Sequence, residues 1–267
     1  MKKTKFSKEH LEFLKKIKRN AALVWSGRII TLVLFLAIWE LLADLGIIDT
    51  FITSSPSKIC ITIFNLFIED NLIYHIGVTL LETVLGFIIA AVSGMIISIL
   101  LWLSESARKI AEPYIVVLNS LPKIALGPII IVWFGSGMKS IVFMAVIIGI
   151  IVSVITMLNG FIATDKDKIL LLKSMGANKI QILTKLVIPG SMPTLFSMLK
   201  LNIGMAWIGS IMGEYLVSRA GLGYLIVYGG QVFKLDLVMA ATLILCLLAT
   251  IMYVLISLLE KIFIKHV

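Results

Sequence analysis

The chain has 267 residues, of which 60% are hydrophobic and only 15% charged, against about 25% charged in an ordinary soluble domain. Its mean hydropathy of +1.07 is more than one soluble core of this size can hide, which excludes a soluble enzyme and a disordered chain. The net charge of +9 in so apolar a chain points to membrane topology rather than to nucleic acid.

Residues 1–28 form a basic segment holding Lys2, Lys3, Lys5, Lys8, Lys15, Lys16, Lys18, Arg19 and Arg28. Among these, Phe6, Leu11, Leu14, Ile17 and Ala21 recur at roughly helical spacing. That pattern reads as an amphipathic helix on the anionic inner leaflet, with a disordered basic tail as the alternative. The apolar run that follows is long for a signal peptide and has no A-x-A-like site after it, so it reads as an uncleaved span.

A spanning helix needs about 20 mostly apolar residues. Six stretches qualify, at 29–47, 78–103, 113–134, 138–163, 194–214 and 235–262, and 29–267 reads as one six-helix membrane domain. With the N-terminus inside, eighteen basic residues fall on the cytoplasmic side. Only Lys58, Lys139, Arg219 and Lys234 fall outside. That bias, with an even span count, places both termini in the cytoplasm.

Small residues at four-residue spacing, Gly86, Ala90 and Gly94 on the second span and Gly209 and Gly213 on the fifth, predict close helix packing, within one bundle in preference to a dedicated dimer motif. Pro122 and Pro128 predict a bend in the third span, with Pro122 and Lys123 near the bilayer midplane, where broken helices line pathways. Intramembrane charge is costly, so Lys123 is read either as an attractor for an anionic solute or as a structural partner of Glu82 or Glu214. Lys200 is expected to snorkel to the cytoplasmic interface. Glu214, at the outer end of the fifth span, caps or gates the outer mouth or meets interfacial water, and Glu40 and Asp44 are expected at the outer interface. Trp102 and Trp133 lie near span ends, as an aromatic belt would place them. Trp207 is deeper and reads as a pathway contact or as helix packing.

Cys60 and Cys246 form no C-x-x-C, and His10, His75 and His266 sit at or beyond span ends without a second ligand type at metal spacing. They are expected to be solvated or interfacial. Neither G-x-x-x-x-G-K-S/T nor G-x-G-x-x-G occurs, so no cofactor is expected in this chain and any ATP must be bound by a partner.

The longest cytoplasmic loop, 164–193, is no plain linker. Two helical sections, 168–175 and 178–187, flank Gly176 and end at Pro189. Ile169, Leu172, Ile180, Leu183 and Val187 alternate with lysines. Such a pair is either a docking surface or an interfacial helix without a partner. Gly176 followed thirteen positions later by Pro189, within G-A-N-K and V-I-P, resembles the EAA loop of ABC importer permeases. The family's Glu-Ala-Ala positions fall on Leu170, Leu171 and Leu172, so its glutamate is missing. The resemblance extends to T-S-S-P-S-K at 53–58, L-P-K-I-A-L-G-P-I-I-I-V-W-F-G at 121–135, A-W-I-G-S-I-M-G-E at 206–214 and G-L-G-Y-L-I at 221–226. Together these are similar to the nitrate/sulfonate/taurine/bicarbonate branch of type I ABC importers, from about Leu36 onward.

The resemblance implies an all-α permease with six transmembrane helices in a bacterial cytoplasmic membrane. It implies a homodimer, two ATP-binding cassette subunits and an extracytoplasmic substrate-binding protein. ATP coupling is expected at Lys173, Ser174, Met175, Gly176, Ala177, Asn178, Lys179, Ile188 and Pro189. The translocation pathway is expected to involve Pro122, Lys123, Glu214 and Trp207, with a small anionic solute as cargo. The competing readings are an ATPase-independent transporter or channel, for which a second broken span is missing, and a membrane enzyme, for which no catalytic set is visible at one depth.

Overall fold

A computed structural model describes residues 8–68 and 71–264, and every regular element among them is helical. In chain order these are α1 (Lys8–Asp44), α2 (Thr50–Thr53), α3 (Pro56–Ile68), α4 (Leu72–Leu103), α5 (Glu105–Ser120), a 3-10 turn (Lys123–Leu126), α6 (Gly127–Phe134) and α7 (Met138–Ile162). There follow α8 (Lys166–Ser174), α9 (Lys179–Ile182), a π-helical turn (Leu183–Val187), α10 (Ile188–Gly190), α11 (Met192–Val217), α12 (Leu222–Gln231) and α13 (Leu235–Ile264). The chain divides into two compact units, Met1–Thr62 and Ile63–Val267.

In the smaller unit, α1 is a single 37-residue helix. The basic stretch and the first span therefore share one helix, with no turn between a surface helix and a crossing one; no proline interrupts the run. Ile17 is exposed, and Phe6 lies outside the described residues. Glu40 is not simply interfacial. Its carboxylate accepts the Ser57 backbone N–H at 3.0 Å and the Ser57 hydroxyl at 2.6 Å, an acid placed at the N-terminus of α3 where the helix dipole favours it. Lys58 Nζ donates to Thr50 Oγ1 at 2.9 Å. The T-S-S-P-S-K run is thereby folded back on the end of the first span.

In the larger unit, α7 packs between α4 and α11. On one side Gly86 lies against Ala145, Ala90 against Gly149 and Gly94 against Ser153. On the other, Gly209 lies against Ala145 and Gly213 against Ile141. The small residues thus pack one bundle, as their spacing predicts. Polar side chains join the same helices. Ser98 Oγ donates to the Val154 carbonyl at 3.1 Å, and the Thr83 and Ser210 hydroxyls are 2.6 Å apart.

The register of these contacts fixes the topology. Residue numbers rise together along α4 and α7, so the two helices are parallel, whereas α11 is antiparallel to both. The chain between α4 and α7 must therefore return across the membrane. The only helices available to do so are α5 and α6, which are bent by 86° at their break. Counted with the five long apolar helices, this bent pair makes six spans.

The bend originates at Pro122. Leu121 before it is extended (φ −66°, ψ 137°), as the residue preceding a proline prefers. Pro128 does not bend the helix. It lies in the first turn of α6, where its missing N–H has no intrahelical partner to lose. Lys200 does not snorkel free either. It pairs with Glu260 of α13 and lies 5.8 Å from the Tyr253 ring centroid.

Gly209→Ala tests the seam, because its new methyl meets the Ala145 backbone, which cannot swing aside. It should destabilise the fold by about 1–3 kcal/mol, read as a lower melting temperature in detergent. Gly204→Ala on the same helix faces open space and should leave the melt unchanged or raise it.

Candidate functional site

At the cytoplasmic end, α8 and α9 form a helical hairpin with a specified turn. Gly176 has φ +84°, a conformation only glycine adopts at little cost. The Gly176 N–H bonds the Lys173 carbonyl and the Ala177 N–H bonds the Leu172 carbonyl, each at 2.9 Å. This is the paired closure of a Schellman turn. Ala177 and Leu172 both pack on the cluster beneath, supplying the apolar contact that goes with such a cap. Asn178 then opens the next helix. Its Oδ1 accepts the Gln181 N–H and its own N–H donates to Gln181 Oε1, both at 2.8 Å, a reciprocal capping box. One helix is thus closed and the next begun within four residues.

The hairpin is tied to the spans at two places. Lys179 Nζ donates to the carbonyl of Leu103 at 3.2 Å, a cation at the C-terminus of α4, where the dipole favours it. Ile182, Leu183 and Val187 are buried with Met157, Phe161 and Met198 of α7 and α11. The π-helical turn puts Ile182 and Val187, five residues apart, on one face. Ile182 is thereby buried, whereas Ile180 is 64% exposed. The same wide turn precedes Pro189, so the helix passes through the proline to Gly190. Ile188 packs partly on the buried cluster.

What the hairpin leaves outside is also apolar. Leu170, Leu171 and Met175 are 63%, 60% and 74% exposed, and they sit beside exposed Lys173, Ser174 and Asn178.

The pathway candidates occupy three separate places. Pro122 is exposed at the break of the third span, and Lys123 beside it is half-buried. Lys123 Nζ donates to the Asn119 carbonyl at 3.2 Å. Among the described residues no carboxylate lies within ion-pair distance of it, so Glu82 and Glu214 are not its partners. Trp207 is buried within the α11 packing.

Glu214 is buried rather than bathed in interfacial water, and it clasps the start of α12. The first N–H groups of a helix have no intrahelical acceptor, and here side chains of α4 and α11 supply them. Gly221 N–H donates to His75 Nδ1 at 3.0 Å, Leu222 N–H to Thr79 Oγ1 at 2.7 Å and Gly223 N–H to Glu214 Oε2 at 2.6 Å. Tyr224 N–H also reaches Glu214. Gly221 has φ +108° and lies so close to the Glu214 carboxyl that a Cβ would overlap it. That explains the glycines of G-L-G-Y. The buried carboxyl of Glu82 neighbours that of Glu214. His75 stacks on Tyr224 with ring centroids 6.1 Å apart, so it is a half-buried clasp residue and not a solvated one. Nothing in the sequence signals the role of Thr79 or the bond made by His75, because their partners lie some 145 residues away.

Residues 82–267 match the family model described as "Binding-protein-dependent transport system inner membrane component". The chain is 31% identical to the "Probable ABC transporter permease protein" of Haemophilus influenzae, over 82% of this chain and 88% of that one. It is 24% identical to the taurine transport system permease protein of Escherichia coli K12, over 82% of each. Its fold matches a chain of the inward-facing MetNI methionine ABC transporter with a TM-score of 0.65 and 17% identity, covering 72% of this chain and 95% of that one.

Removing the clasp carboxylate should free the start of α12. Glu214→Ala is expected to lower stability by about 1–3 kcal/mol for each buried backbone donor left unsatisfied, seen as a drop in detergent melting temperature. Glu214→Gln, which keeps an acceptor for Gly223, should lose less. A wild-type melt for Glu214→Ala would show that other contacts hold α12.

Proposed function

The chain belongs to the family of inner membrane components of binding-protein-dependent transport systems, and as a multi-pass permease subunit of an ABC importer, we propose, it takes its power through the α8–α9 hairpin from a separate ATPase. The observation that carries this reading is the exposed apolar surface of Leu170, Leu171 and Met175 on a helix whose far end is capped and buried. A membrane protein can leave apolar side chains facing lipid at no cost. On a cytoplasmic hairpin the same exposure calls for a protein partner. Where the family carries a glutamate, this chain offers Leu170, so the contact with the ATPase is apolar at that point rather than ionic.

Two ATPase subunits, closing on ATP that they bind themselves, would push on one hairpin each in a homodimer. Lys173, Ser174, Met175 and Asn178 form the contact. Gly176, Ala177, Lys179, Ile188 and Pro189 keep the hairpin rigid and joined to α4, α7 and α11. The pathway between the two copies then opens outward to accept cargo from a substrate-binding protein, and hydrolysis returns it inward. Residues 29–267 serve as the permease proper, and 1–28 as a basic cytoplasmic segment.

The cargo is a small anion of the sulfonate, taurine, nitrate or bicarbonate class. Support comes from Lys123, a cation at a helix break that has a carbonyl but no carboxylate for a partner. Glu214 and Trp207 act on the pathway from behind, by holding α12 and α11 in place.

Leu171→Asp combined with Met175→Asp should abolish co-purification with the ATPase subunit and uptake into proteoliposomes, while the permease itself still folds. Retained association and transport would remove the hairpin from the coupling role. Lys123→Ala should lower uptake of an anionic cargo at least tenfold without changing basal ATP hydrolysis. Undiminished uptake would make Lys123 structural and leave the solute class open.

A further inference from the structure

Beside the hairpin, the cytoplasmic ends of the spans line two cavities, the first of which takes Lys173 and Lys179 from the coupling hairpin itself. The first, of about 340 Å³, is lined by Arg108, Lys166, Lys173 and Lys179. Glu105 is the one acid in its lining, and it already pairs with Lys109 at 2.9 Å. The second, of about 480 Å³, lies between α5 and α7 and shares Arg108 and Ile162 with the first. Its charged members, Arg108, Lys109 and Glu112, stand at the cytoplasmic end of α5. Its apolar members, Ile115 and Val116 on α5 with Ile155 and Leu158 on α7, begin one helical turn past Glu112 and run to about 12 Å beyond Arg108.

Charge at the mouth and apolar walls below describe an amphiphile. We propose that these two neighbouring cavities, which share Arg108 and Ile162, hold one anionic phospholipid of the inner leaflet, its phosphate between Arg108 and Lys166 and an acyl chain between α5 and α7. Basic pockets between spans on the cytoplasmic side suit such headgroups, and the planar guanidinium of Arg108 matches phosphate geometry. A free anion would occupy the first cavity and leave the apolar groove empty. A zwitterionic lipid would gain less from four cations, because its own ammonium group opposes them. The bound lipid would join α5, the first helix of the broken span, to α7 and to the base of the hairpin, so that leaflet composition bears on coupling.

The test uses the full chain in mild detergent and in nanodiscs of phosphatidylglycerol or phosphatidylcholine. Native mass spectrometry should find one phosphatidylglycerol retained per chain in preference to phosphatidylcholine. Arg108→Gln with Lys166→Gln should weaken that retention about thirtyfold, each basic group near an anionic surface counting about equally. Ile155→Trp, which fills the groove and spares every cation, should weaken it as well. Equal retention of the two lipids, or retention indifferent to the double substitution, overturns the proposal. So does a silent Ile155→Trp together with full displacement of the lipid by millimolar inorganic phosphate, because the site would then take free anions.

Discussion

The larger unit depends on the seam where α7 touches α4 and α11 through glycine, alanine and serine. Lipid is as apolar as leucine, so burying apolar surface does not drive spanning helices together. Close packing and hydrogen bonds between helices do. Gly86, Ala90, Gly94, Gly209 and Gly213 let backbones approach until they touch, and the hydroxyls of Thr83, Ser98 and Ser210 bond across the gap. Because the three helices are in contact along much of their length, a displacement at one end cannot be absorbed by sliding side chains. Both functional ends are mounted on this seam: the hairpin through Ile182, Leu183 and Val187, and the clasp through Thr79 and Glu214.

Helix ends follow a second rule. A terminal N–H or carbonyl inside a membrane has no water to meet, so another part of the chain must supply its partner. Lys179 reaches the end of α4 across 76 residues, and His75 reaches the start of α12 across 146. These bonds satisfy the backbone and also tie loops to distant spans. The hairpin turn follows the local form of the same rule, since its Schellman closure and capping box use only residues 172–181. It is therefore stiff before any partner arrives.

What could be read from the sequence was local or compositional. The spans, the small-residue packing faces and the bend at Pro122 each depend on runs of neighbouring residues. So does the hairpin, because Gly176 and Asn178 are cap residues by chemistry. The misreadings involve partners far along the chain or the place where a helix starts. Lys200 read as a snorkelling lysine because Glu260 is sixty residues away. Pro128 read as a bend because its harmlessness depends on a helix starting one residue earlier. Glu214 read as interfacial because nothing near it in sequence shows that four backbone donors converge from α12 and α4 holds the acceptors beside it.

The broken span differs from the seam in kind. None of the sixteen residues of α5 is buried, and α6 buries only Gly127 and Ile130, whereas α7 buries eleven of its residues. An importer needs both qualities in one subunit. The seam must carry force from the cytoplasm without yielding, and some element along the pathway must move when that force arrives. A span cut by Pro122, held to the core by few buried side chains and bearing at its break a cation with no carboxylate partner among the described residues, has little packing to lose by moving. If the break at Pro122 faces the pathway, the helix that moves lines it, and the helices that transmit the motion lie behind.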